Sequence, residues 1–181
     1  MSTGTIELRL SRVQQVFNSL DPSPFPDKDL DDEAVAFIVG WAEEFPRDTP
    51  LSLIIHLPEE ERQRAADTRI TEAIAEYFSY RRENELRRLR GLLRLGRRSA
   101  LIGILFLALC NLASEGLAAL SDDPVSMLAR QGLVIFGWVA NWRPAEIFLY
   151  EWWPIRRRAR LFDRLSRMPV ELRFNAHPPA P

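Results

Sequence analysis

Sixteen consecutive residues, Ser99 to Ser114, carry no charge, and arginines close the run at its start. The next charge after Arg98 is Glu115, and apolar sequence resumes to Leu120. A bilayer crossing takes roughly 20 apolar residues. The run therefore predicts a transmembrane helix over 99–120. Ser121-Asp122-Asp123-Pro124 reads as a turn. A second apolar stretch starts at Val125 and passes Trp142 to an aromatic segment ending at Pro154. It is interrupted by Arg130, Arg143, Glu146 and Glu151. The expectation is an α-helical transmembrane hairpin, with its second helix and an interfacial aromatic segment over 125–154. The alternative is a buried helical hairpin in a soluble protein.

Charge distribution favours the membrane. The formal net charge of −1 resembles an ordinary soluble domain and excludes, at first sight, an anionic partner. Divided along the chain it is −9 over 1–61, +6 over 62–98, −3 over 99–155 and +5 over 156–181. Neutrality is thus a cancellation between an acidic segment and two basic collars. Arg94, Arg97 and Arg98 form one collar, and Arg156, Arg157, Arg158 and Arg160 the other. Trp142, Tyr150, Trp152 and Trp153 lie where an interfacial aromatic belt belongs. Arginine and lysine bias places both termini in the cytoplasm, with a two-pass topology. Met1 to Leu10 is polar and alternating, which predicts no cleavable signal peptide. Anionic lipid headgroups are the expected partner of the collars. Nucleic acid is not expected, since the membrane already accounts for the charge.

A hairpin centred on the turn sets residue i of the first span level with residue 245 − i of the second. Glu115 is then level with Arg130 near the outer surface, close enough to pair. Arg143 is level with Ile102, and Glu146 with Ser99, about a turn inside the cytoplasmic boundary. Pairing offsets the cost of charge at such depth. Arg143 and Glu146 stand at i,i+3 and can pair along one helix. Pro144 between them should kink or restart that helix.

Residues 1–80 read as a cytoplasmic α+β domain with the order β-α-α-β-α. Thr5 to Leu10 alternates apolar and charged residues, as a half-buried strand does. Val13, Val16, Phe17 and Leu20 recur at helical spacing. Asp21 to Pro26 holds three prolines and must be a loop; Asp21, Pro22, Pro24 and Phe25 make it a candidate partner-binding loop. Asp29 or Asp31 caps the next helix, whose buried stripe reads Ala34, Phe37, Ile38, Trp41, Ala42 and Phe45. Leu51 to Leu57 is an apolar, central strand ended by Pro58. A long helix then starts at Glu59 or Glu60 and becomes an arginine-rich juxtamembrane segment over 81–98.

Two strands make a marginal sheet. The basic tail, 155–181, offers a third over 170–174, because Val170-Glu171-Leu172-Arg173-Phe174 repeats Ile6-Glu7-Leu8-Arg9-Leu10. Antiparallel pairing of the two would set Glu7 against Arg173 and Arg9 against Glu171, whereas parallel pairing would oppose like charges. Pairing of the first strand with its copy in a homodimer would protect the edge equally well.

Motifs for chemistry are scarce. Cys110 is the single cysteine, which excludes a disulfide framework. His177 lies in a proline-rich tail, and His56 in a strand reads as a packed residue. No phosphate loop, nucleophile elbow or paired-histidine helix occurs. Asp27, Asp29, Asp31, Asp32 and Glu33 lack the glycine and ligand spacing of a calcium loop. No cofactor, metal or catalytic residue is expected.

Leu20-Asp21-Pro22-Ser23-Pro24-Phe25, with Trp142-Arg143-Pro144 and Glu151-Trp152-Trp153-Pro154, resembles small bacterial inner-membrane proteins with an N-terminal cytoplasmic domain and a two-helix hairpin. The resemblance spans most of the chain and implies a topology but no activity. The expected function is non-enzymatic: a membrane-anchored scaffold or accessory subunit that meets another membrane protein or its own copy. The rivals are a small transporter or lipid-handling subunit using Arg143 and Glu146, and a membrane-edge enzyme around His56, Arg143 and Glu146.

Overall fold

The computed structural model describes residues 4–18, 29–120 and 123–175. The chain divides into two compact units, Met1–Asn84 with Arg158–Pro181, and Glu85–Arg157. The expected partner loop (Asp21, Pro22, Pro24, Phe25) and Ser121 and Asp122 of the turn lie outside the described residues, as does His177.

The first unit is built on a three-stranded sheet of β1 (Gly4–Arg9), β2 (Leu51–Pro58) and β3 (Val170–Asn175), in the order β1-β2-β3. Both pairings are parallel. The tail therefore does add a third strand, but it pairs with β2, not antiparallel with β1. The reason lies in the connections. Every strand-to-strand link among the described residues contains helix, and helical crossovers return the chain to the same end of the sheet. β2 is also the most apolar strand, and central placement covers both of its edges. The like-charge penalty anticipated for parallel strands does not arise, because β2 stands between them. Glu7 and Glu171 flank Ile54, and Arg9 and Arg173 flank His56, so like charges lie two strand spacings apart, about 10 Å.

Alternation gives the sheet one apolar and one polar face. Ile6 and Leu8, with Leu53, Ile55 and Leu57, enter the core, joined by the partly buried Val170, Leu172 and Phe174. Helix α1 (Asp32–Glu44) begins where the Asp31 carboxylate accepts from Glu33 N at 3.0 Å and Ala34 N at 3.3 Å. This caps the helix and satisfies two of its free amides. Its buried stripe is Ala34, Val35, Ile38 and Ala42. Phe37 and Trp41, expected in that stripe, remain 41% and 45% exposed. The 34-38-42 ridge faces the sheet, so the neighbouring 37-41 ridge turns outward, where the two rings contact each other.

The long helix expected from Glu59 is broken near its start. A 3-10 turn (Glu59–Glu61) leads into α2 (Arg62–Asp67), and Arg69 takes the left-handed backbone at φ 48° before α3 (Ile70–Leu120) begins. Thr68 Oγ1 donates to Arg64 O at 2.9 Å, closing α2 from its own side chain. Ile70, Ile74 and Phe78 of α3 complete the core with Phe162 and Leu165 of α6 (Trp152–Ser166). Phe78 and Phe162 stack at 6.2 Å.

The second unit consists of the remainder of α3, α4 (Pro124–Val139), α5 (Trp142–Glu146), a π-helical segment (Ile147–Glu151) and the start of α6. Asp123 caps α4 by accepting from Val125 N, and Pro124 occupies the first turn, where no amide is needed. The stretch 125–154 is thus not one helix. It stops at Ala140, restarts at Trp142 with Pro144 in the new first turn, and then widens into a π turn.

Candidate functional site

Helix α3 is long and apolar enough to cross a membrane, and only 11% of its most apolar 18-residue window is buried in the protein. Leu101, Ile102, Ile104, Leu105, Leu109 and Leu112 are exposed, as are Ile135, Phe136, Trp138 and Val139 of α4. A continuous apolar surface of this kind marks an interaction site for lipid or another protein.

The contact between α3 and the α4–α5 segment is made by small residues. At Gly137, an added Cβ would lie 2.7 Å from Leu107 Cδ1 and 3.2 Å from Leu107 Cα. A Cβ at Gly103 would lie 2.6 Å from Asn141 Oδ1, and at Gly96 2.8 Å from Ile147 Cγ2. The pairs 137/107 and 103/141 each sum to 244, so the segment runs antiparallel along α3. Asn141 Nδ2 donates to Gly103 O at 3.1 Å and to Gly137 O at 3.0 Å. One side chain therefore ties both backbones where glycine lets them approach. Neither Asn141 nor the glycines were singled out from the sequence. A signal was present: Gly96, Gly103 and Cys110 recur at seven-residue spacing on α3, and Asn141 is an amide within an apolar stretch.

The charged residues expected at this region are placed as follows. Arg143 pairs with Glu146 at 2.9 Å and also with Glu151, whose approach across the π segment was not foreseen. Glu115 on α3 is exposed, and Arg130 on α4 is half-buried. Among the aromatic residues, Trp142, Tyr150 and Trp153 are 75%, 70% and 62% exposed. Trp152 packs on Trp153 at 5.1 Å, donates from Nε1 to Phe148 O at 2.8 Å, and has Arg156 over its ring at 5.5 Å. Arg97, Arg98, Arg156, Arg157 and Arg158 are all exposed.

The first unit presents the polar face of its sheet. Glu7 Oε2 lies 3.4 Å from His56 Nε2, a contact that makes no hydrogen bond. Glu171 and Arg173 do not meet Arg9 and Glu7; they pair with each other along β3 at 2.8 Å. Hydrogen bonding from the Arg173 guanidinium holds the Glu171 carboxyl below its ordinary range. A buried carboxylate that the sequence did not mark is Glu61. It accepts from Val13 N at 3.0 Å and from Arg64 Nη1 at 2.7 Å. Arg82 and Arg167 both pair with Asp163, at 3.1 and 3.0 Å.

Among the described residues, no three His, Cys, Asp or Glu side chains are grouped to hold a metal ion. Comparison with known proteins finds no matching family model, no matching curated protein and no matching solved structure.

Proposed function

We propose that this chain is a non-enzymatic, membrane-anchored scaffold or accessory subunit of the bacterial inner membrane. In this reading α3 and the α4–α5 segment form a two-pass hairpin, and both termini are cytoplasmic. The carrying observation is the exposed apolar surface of α3, which water would not tolerate at this length. The Asn141 amide bridge and glycine contacts support it, since helices in lipid associate through small residues and polar ties. The exposed arginines beside Trp152 and Trp153 suit anionic headgroups, each worth about 1 kcal/mol near the surface. Phosphate geometry suits arginine in particular.

The transporter alternative rests on Arg143 and Glu146. Their mutual pairing, with Glu151 as a second carboxylate partner of Arg143, supports a structural role instead. Arg143→Gln with Glu146→Gln should then leave partner binding intact, whereas a transport role would be abolished. The membrane reading is tested by alkaline extraction of the full chain and by thiol labelling in a Cys110→Ala background. Asp123→Cys should react with an impermeant reagent in intact spheroplasts, and Ser2→Cys only after lysis. Release of the chain into the alkaline supernatant overturns membrane integration. Equal labelling of both positions in intact spheroplasts overturns the topology.

A further inference from the structure

Strand β3 is an edge strand, and its backbone phase fixes which groups are free to pair. Leu53 N donates to Pro169 O at 3.0 Å, and Leu53 stands opposite Val170. In a parallel ladder, alternate residues then turn their backbone groups toward β2. Those are Pro169, Glu171 and Arg173. Val170, Leu172 and Phe174 turn their N–H and C=O groups outward. These same three residues put apolar side chains against the core while remaining partly exposed. Glu171 and Arg173, whose side chains are 60% and 48% exposed, point to the polar face.

We propose that β3 pairs antiparallel with β3 of a second copy of this chain, about a two-fold axis at Leu172. This register sets Leu172 opposite its copy and Val170 opposite Phe174 of the other. Each of the three outward residues exchanges both backbone groups, making six intermolecular hydrogen bonds. The apolar ladder is continued on the core side. On the polar side Glu171 faces Arg173 of the copy, and Arg173 faces Glu171, twice over. The neighbouring registers, centred on Glu171 or Arg173, would oppose two carboxylates or two guanidinium groups and are disfavoured.

The other sheet edge does not compete. On β1, Gly4 N and Leu10 N donate to Pro50 O and His56 O, so Thr5, Glu7 and Arg9 turn outward. Ile6 and Leu8 are already buried there, at 1% and 9% exposure, and pairing would cover little more. Glu7 Oε2 also lies 3.4 Å from His56 Nε2. The homodimer edge is therefore β3 and not the first strand. This inference goes beyond the scaffold reading and rests on the first unit alone; a monomeric chain would leave membrane anchoring untouched.

The test is light scattering of the full chain in mild detergent across the micromolar range, with a charge-reversal set. Wild type is expected to dimerise. Glu171→Arg and Arg173→Glu each turn two cross-strand attractions into repulsions, and each should weaken self-association by about tenfold. Mixed in equal amounts, the two variants become complementary to one another and should form a heterodimer as tight as wild type. The double variant Glu171→Arg, Arg173→Glu should also restore the dimer. A monomeric wild type, or a dimer indifferent to either reversal, overturns the proposal. So does a loss in both variants that mixing fails to repair.

Discussion

The Asn141 side-chain amide donates to the Gly103 carbonyl at 3.1 Å, across the interface between two apolar helical segments. The same nitrogen donates to Gly137 O at 3.0 Å. Gly137 O lies in the last turn of α4, and the Asn141 backbone N–H donates to Trp138 O, so the side-chain amide supplies a donor to a helix-end carbonyl. Asn141→Ala should lower the stability of the detergent-solubilised chain by about 1 kcal/mol, the usual scale for polar ties between membrane helices. Gly103→Ala should also destabilise, because its Cβ would lie 2.6 Å from Asn141 Oδ1. The two costs should be less than additive in the double variant, because removing the amide removes the two shortest contacts and leaves only Ala140 O at 3.2 Å. A double-mutant cycle from denaturant unfolding measures this coupling, and strict additivity would contradict the contact.

Gly137 and Gly132 provide an internal contrast on α4. A Cβ at Gly137 meets Leu107 at 2.7 Å for Cδ1 and 3.2 Å for Cα, whereas one at Gly132 meets nothing within 4 Å. Gly137→Val should destabilise by roughly 1–3 kcal/mol through forced separation of the helices. Gly132→Ala should be neutral, or stabilise by up to about 1 kcal/mol through helix propensity. Thermal unfolding of both variants checks the order. A Gly132→Ala loss as large as that of Gly137→Val would place the helix contact elsewhere.

The sequence made the apolar helix and the strands legible because each rests on a local pattern. A charge-free run identifies α3, and period-two alternation identifies β1 and β3. Strand order is different. It depends on which strand can spare an open edge and on where helical crossovers deliver the chain, and neither is local. Glu171 and Arg173 matched Glu7 and Arg9 in sequence, yet β2 lies between them. Hydrophobicity likewise placed Phe37 and Trp41 in the core stripe, while the packing ridge of α1 chose the smaller Ala34, Ile38 and Ala42. The break at Arg69 had no composition signal, since neither glycine nor proline marks it. The Arg143–Glu146 spacing was readable at i,i+3, but the third member, Glu151, is reached only through the π segment.

Glu61 is buried at 6% exposure and carries two partners, Val13 N at 3.0 Å and Arg64 Nη1 at 2.7 Å. It joins the turn after β1 to the start of α2. Glu61→Ala would leave the Val13 amide without an acceptor in a buried site, at a cost of about 1–3 kcal/mol. Glu61→Gln keeps a neutral acceptor and should lose less. Hydrogen exchange of the Val13 amide gives the local readout: fast in the alanine variant, slow in wild type and intermediate in the glutamine variant. Unchanged protection in Glu61→Ala would remove the carboxylate from this role.

Arg69 adopts φ 48° between α2 and α3, a conformation that costs an L-residue roughly 1–2 kcal/mol. Its side chain offsets little of this, since the ion pair with Glu72 at 2.8 Å joins groups that are 62% and 59% exposed. Glycine adopts the left-handed region freely but loses more chain entropy on folding. Arg69→Gly should therefore stabilise by about 0.5–1 kcal/mol. Arg69→Val, β-branched at the same φ, should destabilise by more than that. The midpoint of denaturant unfolding separates the three proteins in the order glycine, arginine, valine. A glycine variant below wild type would mean that the Arg69–Glu72 pair outweighs the backbone cost and that the break is held by its side chain.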